Sequence, residues 1–145
     1  MKEQKLIFPY PKFSQAPTDS LKLKLSAEEE VKIAEHPIND PITYELYLKA
    51  RTEILKFSKE GLDNALMYIQ KGLDIVGENV QLLAGMGYVY FQYVNLGIRT
   101  DKDTFKKIEE YSYKIFALEP HSPYGHIILG LYMMLSKDVR RGLLL

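Results

Sequence analysis

The stretch Leu62–Gly87, LDNALMYIQKGLDIVGENVQLLAGMG, decides how this chain folds. Leu62, Ala65, Leu66, Ile69, Gly72, Leu73 and Val76 recur three and four residues apart, the spacing of one buried helix face. Gly77–Glu78–Asn79 breaks the pattern, because glycine tolerates the backbone conformation that ends a helix. Leu83, Met86, Gly87 and Tyr90 then restart it. Ala84, Gly85 and Gly87 are small where a neighbouring helix must come close. The reading is a helix, a tight turn and a second helix packed antiparallel.

Working outward, the same unit recurs. Asp40–Pro41 opens a helix that should run over 41–58: Asp is a good N-cap, and Pro fits the first helical position, where its missing N–H costs nothing. Gly61 falls in the first turn of the next helix, 60–76. An aromatic-rich helix follows over 80–95, with Tyr88, Tyr90, Phe91 and Tyr93. After a loop, Thr100 and Asp103 can cap a helix over 102–118, which Pro120 ends. Ser122–Pro123 repeats the cap-plus-proline start for a helix over 123–136. Asp138–Leu145 reads as the opening of one more. Upstream, Ser26 and Glu29 have capping-box spacing and begin a helix over 26–36, ended by His36–Pro37. Leu21, Leu23 and Leu25 alternate with lysines, which suits a very short strand, a helical turn or a linker equally. Pro9, Pro11 and Pro17 make residues 1–25 an extended arm or linker ahead of a helical domain at 26–145. Ile7, Phe8, Tyr10 and Phe13 could dock that arm; a poorly ordered terminus is the other reading.

Composition narrows the function classes. The 145 residues suffice for one domain, and nineteen basic residues balance nineteen acidic ones. A general nucleic-acid binder would carry a concentrated basic patch, and none stands out, so no nucleic-acid partner is expected. There is no cysteine, hence no disulfide and no thiolate metal site, which suits a cytoplasmic protein. No apolar run is long enough to span a membrane, and no signal peptide is recognisable, so no membrane association is expected.

The sequence carries no recognisable catalytic constellation. His36, His121 and His126 are the only histidines, and no carboxylate cluster accompanies them, so no metal is expected. Glu109 and Glu110 are adjacent in a helix and diverge. Gly85-Met86-Gly87 lies inside a helical pattern with no preceding strand, unlike a phosphate loop. Nothing supplies an activated nucleophile. The expectation is a non-enzyme without cofactor.

Two segments share a register. Leu83-x-x-Met86-Gly87-x-x-Tyr90 matches His126-x-x-Leu129-Gly130-x-x-Met133, with Gly77 and Pro120 each six residues ahead. Ala65, Ile69, Gly72 and Gly77 place small, large, small and helix-ending residues across a second helix. This pattern resembles the tetratricopeptide repeat, whose first helix carries a large residue, then Leu-Gly, then Tyr. The second helix of the middle pair departs from it, with Ile108, Ser112 and Ile115 where small, aromatic and small residues are usual. Ala50 takes the glycine place in the first pair. The separation of Gly87 from Gly130 exceeds the usual period of about 34, and the Leu96–Asp101 loop can absorb the excess. The resemblance implies an all-α fold of antiparallel helix pairs, stacked as a short right-handed solenoid, with Gly87 and Gly130 doing the same steric job.

In that family the first helix of each pair lines a concave face that binds protein partners. Position by position, this implies Tyr44, Tyr47, Arg51 and Ile54 from one helix, and Gln81, Ala84, Tyr88, Phe91 and Gln92 from the next. Tyr124, Ile127, Leu131 and Met134 come from the last. The places that hold lysine, arginine and asparagine in carboxylate-gripping members carry Ala84 and Tyr88 here, so that clamp is not expected. The implied function is a non-catalytic interaction module for a peptide or partner helix. An alternative is that these aromatics are core, covered by the arm or by the Ser26 helix. A third is self-association, as a homodimer through an uncapped C-terminal helix that is apolar on both sides. A narrower resemblance covers Leu21–Pro120. The run from Leu21 through His36-Pro37 to Arg51 is similar to a junction in bacterial signalling proteins. There it follows an adenylate cyclase, serine/threonine kinase or transcriptional-regulator domain, which implies a regulatory fragment as another alternative.

Overall fold

The computed structural model describes residues 38–140, which form five α-helices and no strand. The expected arm over 1–25, the Ser26 helix and residues 141–145 lie outside the described residues. The helices are α1 (Pro41–Ile54), α2 (Lys59–Val76), α3 (Val80–Asn95), α4 (Lys102–Leu118) and α5 (Pro123–Arg140).

Each helix begins where a short polar side chain satisfies a first-turn amide. The Asp40 carboxylate accepts from the Thr43 N–H at 2.8 Å and from its hydroxyl at 2.9 Å. Ser58 Oγ accepts from the Gly61 N–H at 3.0 Å, and Asn79 Oδ1 from the Leu82 N–H at 3.1 Å. Ser122 Oγ takes the Tyr124 N–H at 3.1 Å. The cap of α4 is Asp101 rather than Thr100: its carboxylate holds both the N–H and the hydroxyl of Thr104, at 3.0 and 2.9 Å. An aspartate offers two acceptor oxygens, so it can bind both donors at once.

Two ends differ from expectation. α1 stops at Ile54, short of Ser58, because Lys56 and Phe57 donate to the Glu53 and Ile54 carbonyls in a tighter turn. Phe57 then takes a left-handed backbone, φ +48°, and Ser58 is extended and free to cap α2. α5 runs past Ser136 to Arg140. The Ser136 hydroxyl donates to the Tyr132 carbonyl within the helix and provokes no break, and Lys137 and Arg140 suit the negative end of the helix dipole. Asp138 therefore continues α5 and does not open a new helix. α2 ends at Gly77, φ +79°, as the break in Leu62–Gly87 required.

The short connections turn each helix back on its predecessor. α1 packs on α2, α2 on α3, α3 on α4 and α4 on α5, and α3 also reaches α5 directly. That makes α3 the centre of the molecule. It is buried along most of its length: Leu82–Gly87 and Val89–Val94 are all buried. The core runs outward from it through Tyr47, Ile54, Leu62, Ile69, Ile108, Ile115, Ile128 and Leu135. Each such side chain contributes about 1.5–3 kcal/mol of burial.

At Gly87 three helices come close together. A Cβ there would lie 2.8 Å from Ile128 Cγ2 on α5 and 3.4 Å from Tyr111 Cβ on α4. Its sequence counterpart does not share this role. Gly130 is exposed, and no described residue comes within 4 Å of where its Cβ would be. The expectation of equal steric jobs is corrected. Gly87 is closed over by the pair that follows it, and no described helix follows α5. In the first pair, Ala50 is fully buried in the corresponding place.

Candidate functional site

The ten residues expected to line a groove come from α1, α3 and α5, and most of them meet. On α1, Tyr44 and Tyr47 stack with ring centroids 6.4 Å apart. One turn on, Arg51 lies close enough to Tyr47 for its charge to act on the hydroxyl, and so does Tyr124 of α5. On α3, Tyr88 stacks with Phe91 at 5.9 Å, and Gln92 Nε2 donates to the Tyr88 hydroxyl at 2.6 Å. A cavity of about 50 Å³, lined by Arg51, Ile54, Leu55 and Tyr88, joins the α1 set to the α3 set. Ile127 and Leu131 of α5 are half-buried and pack against the core. Gln81 is half-buried two turns before Tyr88 on α3, on the same side of the helix.

The members differ in access. Tyr47, Phe91, Gln92 and Tyr124 are at most 5% exposed and serve the interior. Arg51, Gln81, Tyr88, Ile127 and Leu131 are half-buried, and Tyr44 is 45% exposed. The accessible part of the surface is thus tyrosine, aliphatic carbon, one amide and one guanidinium. Its electrostatics are simple. Burial pushes the Tyr47 hydroxyl well above its ordinary range, against the pull of Arg51. Burial likewise raises Tyr88, partly offset by the bond from Gln92. Both are neutral hydroxyls at physiological pH.

A second cluster lies on the opposite side of α3 and was not foreseen. The Tyr93 ring is fully buried, and its hydroxyl donates to Asp63 of α2 in a short hydrogen bond. Asp63 also accepts from Lys59 Nζ at 2.8 Å. The bonds from Lys59 and Tyr93 hold the Asp63 carboxyl below its ordinary value. Burial and the Asp63 bond push Tyr93 well up. The α3–α4 loop folds back on this ring: Ile98 and Arg99 donate to the Tyr93 carbonyl at 2.8 and 3.0 Å. The Arg99 guanidinium sits 4.6 Å from the Tyr93 ring centre and 5.8 Å from that of Tyr90. Tyr90 stacks on Tyr111 of α4 at 5.7 Å, and Lys107 and Lys114 approach these two rings. Burial, with Tyr90, Glu110 and Glu78 nearby, pushes Tyr111 up to about 12. Only the capping pattern of the loop was visible locally; the pairing of Asp63 with Tyr93 spans two helices.

His126 packs edge-on against Phe116, centroids 4.9 Å apart. Among the described residues no three His, Cys, Asp or Glu gather to hold a metal, and no helix is long and apolar enough to cross a membrane. The Glu109 carboxylate accepts from Tyr113 at 3.2 Å. What the α1–α3–α5 surface offers is hydroxyl groups, rings and a fork of N–H donors, the equipment of recognition. Comparison with protein-family models, with curated proteins and with solved structures found no match to this chain.

Proposed function

We propose that this chain is a non-catalytic interaction module whose α1–α3–α5 surface binds a peptide or partner helix. On this reading the helix pairs α1–α2 and α3–α4, with α5 opening a third, stack as a short right-handed tetratricopeptide-like solenoid in a cytoplasmic protein. The observation that carries it is the meeting of Arg51 and Tyr88, from two helices not adjacent in sequence, at one accessible cavity. The reach of α3 to α5 past α4 supports the stacked arrangement. Tyrosine suits such a surface because it combines a large contact area with a polar tip at low conformational cost. The test is Tyr88→Ala. The variant should keep the native circular dichroism spectrum and lose at least tenfold in affinity for a peptide selected against the native chain. Full affinity in a folded Tyr88→Ala protein would refute the groove.

A second reading, self-association through α5, draws on Met133 and Met134, each at least half exposed, and on Gly130, near which no described atom lies within 4 Å of the Cβ position. Sedimentation equilibrium decides it: a monomer at about 100 μM would remove it, because a dimer tighter than about −5.5 kcal/mol would be populated there.

A further inference from the structure

We propose that the cavity between α1 and α3 is the seat of an aspartate or glutamate side chain of the bound peptide, gripped by the Arg51 guanidinium beside Tyr88. This rests on the peptide-binding reading and narrows it to a partner with an acidic residue at one position.

Size sets the class of guest. The cavity holds about 50 Å³. That is room for more than one water-sized group, so a small polar head group such as a carboxylate fits. Its walls are mixed: Ile54 is buried and apolar, Leu55 is 69% exposed at the rim, and Arg51 and Tyr88 supply the polar atoms. A charge held against apolar walls interacts more strongly than one in open water.

The state of Arg51 sets the sign. It forms no ion pair with a carboxylate among the described residues. The acid two residues along, Glu53, is already engaged, accepting from Lys56 Nζ at 2.9 Å and from Asn64 Nδ2 at 3.1 Å. Asp63 is taken by Lys59 and Tyr93. Among the described residues this half-buried guanidinium has no acid opposite, and its planar fork matches a carboxylate in two parallel hydrogen bonds. Tyr47 and Tyr88, the nearby hydroxyls, carry no charge that would satisfy it. A phosphate group fits less well, because its dianion is usually met by several cations and this cavity has one.

The test uses a random library of dodecapeptides, N-acetylated and C-amidated, so that side chains supply the only carboxylates. Binders are measured by fluorescence polarisation against the native chain. Replacing one acidic residue by its amide, Glu to Gln or Asp to Asn, should weaken the best binder at least tenfold. Arg51→Gln should weaken the acidic peptide equally and leave the amide peptide's residual affinity unchanged, the coupling that a direct pair produces. Arg51→Lys keeps the charge and loses the fork, so it should fall between, and it serves if Arg51→Gln does not fold. The inference falls if amide replacement has no effect, or if Arg51→Gln weakens acidic and amide peptides alike. If no peptide in the library binds at all, the peptide-binding reading falls with it.

Discussion

Alanine at Gly87 and alanine at Gly130 should move stability in opposite directions. At Gly87 the new methyl would stand 2.8 Å from Ile128 Cγ2, about 1 Å inside ordinary carbon–carbon contact. Ile128 is fully buried and its Cγ2 is fixed on a branched Cβ, so it cannot swing aside as a long side-chain tip would. Tyr111 Cβ, at 3.4 Å, blocks retreat toward α4. Overpacking of this kind costs about 1–3 kcal/mol, and alanine returns up to about 1 kcal/mol through its better helix propensity. The net expectation is a loss of up to about 2 kcal/mol. At Gly130 no described atom lies within 4 Å, so only the propensity gain remains, about 0.5–1 kcal/mol. With a urea m-value near 2 kcal/mol/M, the two midpoints, followed by circular dichroism at 222 nm, should separate by roughly 1 M, Gly130→Ala above the native chain and Gly87→Ala below it. If Gly87→Ala stabilises the chain as much as Gly130→Ala does, the close approach of α3 to α5 is wrong.

Tyr93→Phe should cost about 1–2 kcal/mol in urea unfolding, because a charge-assisted bond to Asp63 is lost while part of that carboxylate regains water. The sign of the pH dependence follows from the depressed Asp63 carboxyl. Its contribution is intact above its ordinary value of 3.8 and drains as pH falls below it, so Asp63→Asn should flatten the acid limb of the stability curve. At the alkaline end, Tyr111 at about 12 keeps its proton in the fold and would lose it near 10 when unfolded. Stability should therefore decline between pH 10 and 12, with the 295 nm tyrosinate absorbance of Tyr111 appearing late in a titration. Arg99→Ala removes cation–ring contacts worth about 0.5–2 kcal/mol and should speed amide exchange at Ile98, whose N–H bonds the Tyr93 carbonyl.

What could be read from residues alone divides by range. α3 and α4 begin and end where Asn79, the loop before Lys102 and Pro120 place them, because caps and breakers act over a few residues. The end of α1 was missed because it depends on Phe57 taking a left-handed backbone, which no local signal in Lys56–Ser58 announces. The run past Ser136 was missed because a serine can bond back into its own helix as readily as cap a new one. Gly87 and Gly130 look alike in sequence, and only the presence of α5 over one of them separates their roles. The site shows the same division. The tetratricopeptide resemblance implied one shared surface for Tyr44, Arg51 and Tyr88, and of these Arg51 and Tyr88 line one cavity. The resemblance could not tell that Tyr47, Phe91, Gln92 and Tyr124 would be buried, nor that Asp63 would meet Tyr93.

A backbone and side-chain chemical-shift map of the ¹⁵N,¹³C-labelled chain, titrated with the tightest library peptide, bears most directly on the α1–α3–α5 surface as the binding face. The largest changes should fall on Tyr44, Arg51, Tyr88 and Ile127, with Asp63, Lys107 and Lys114 unmoved. Changes centred on those last three, or scattered evenly over all five helices, would contradict it.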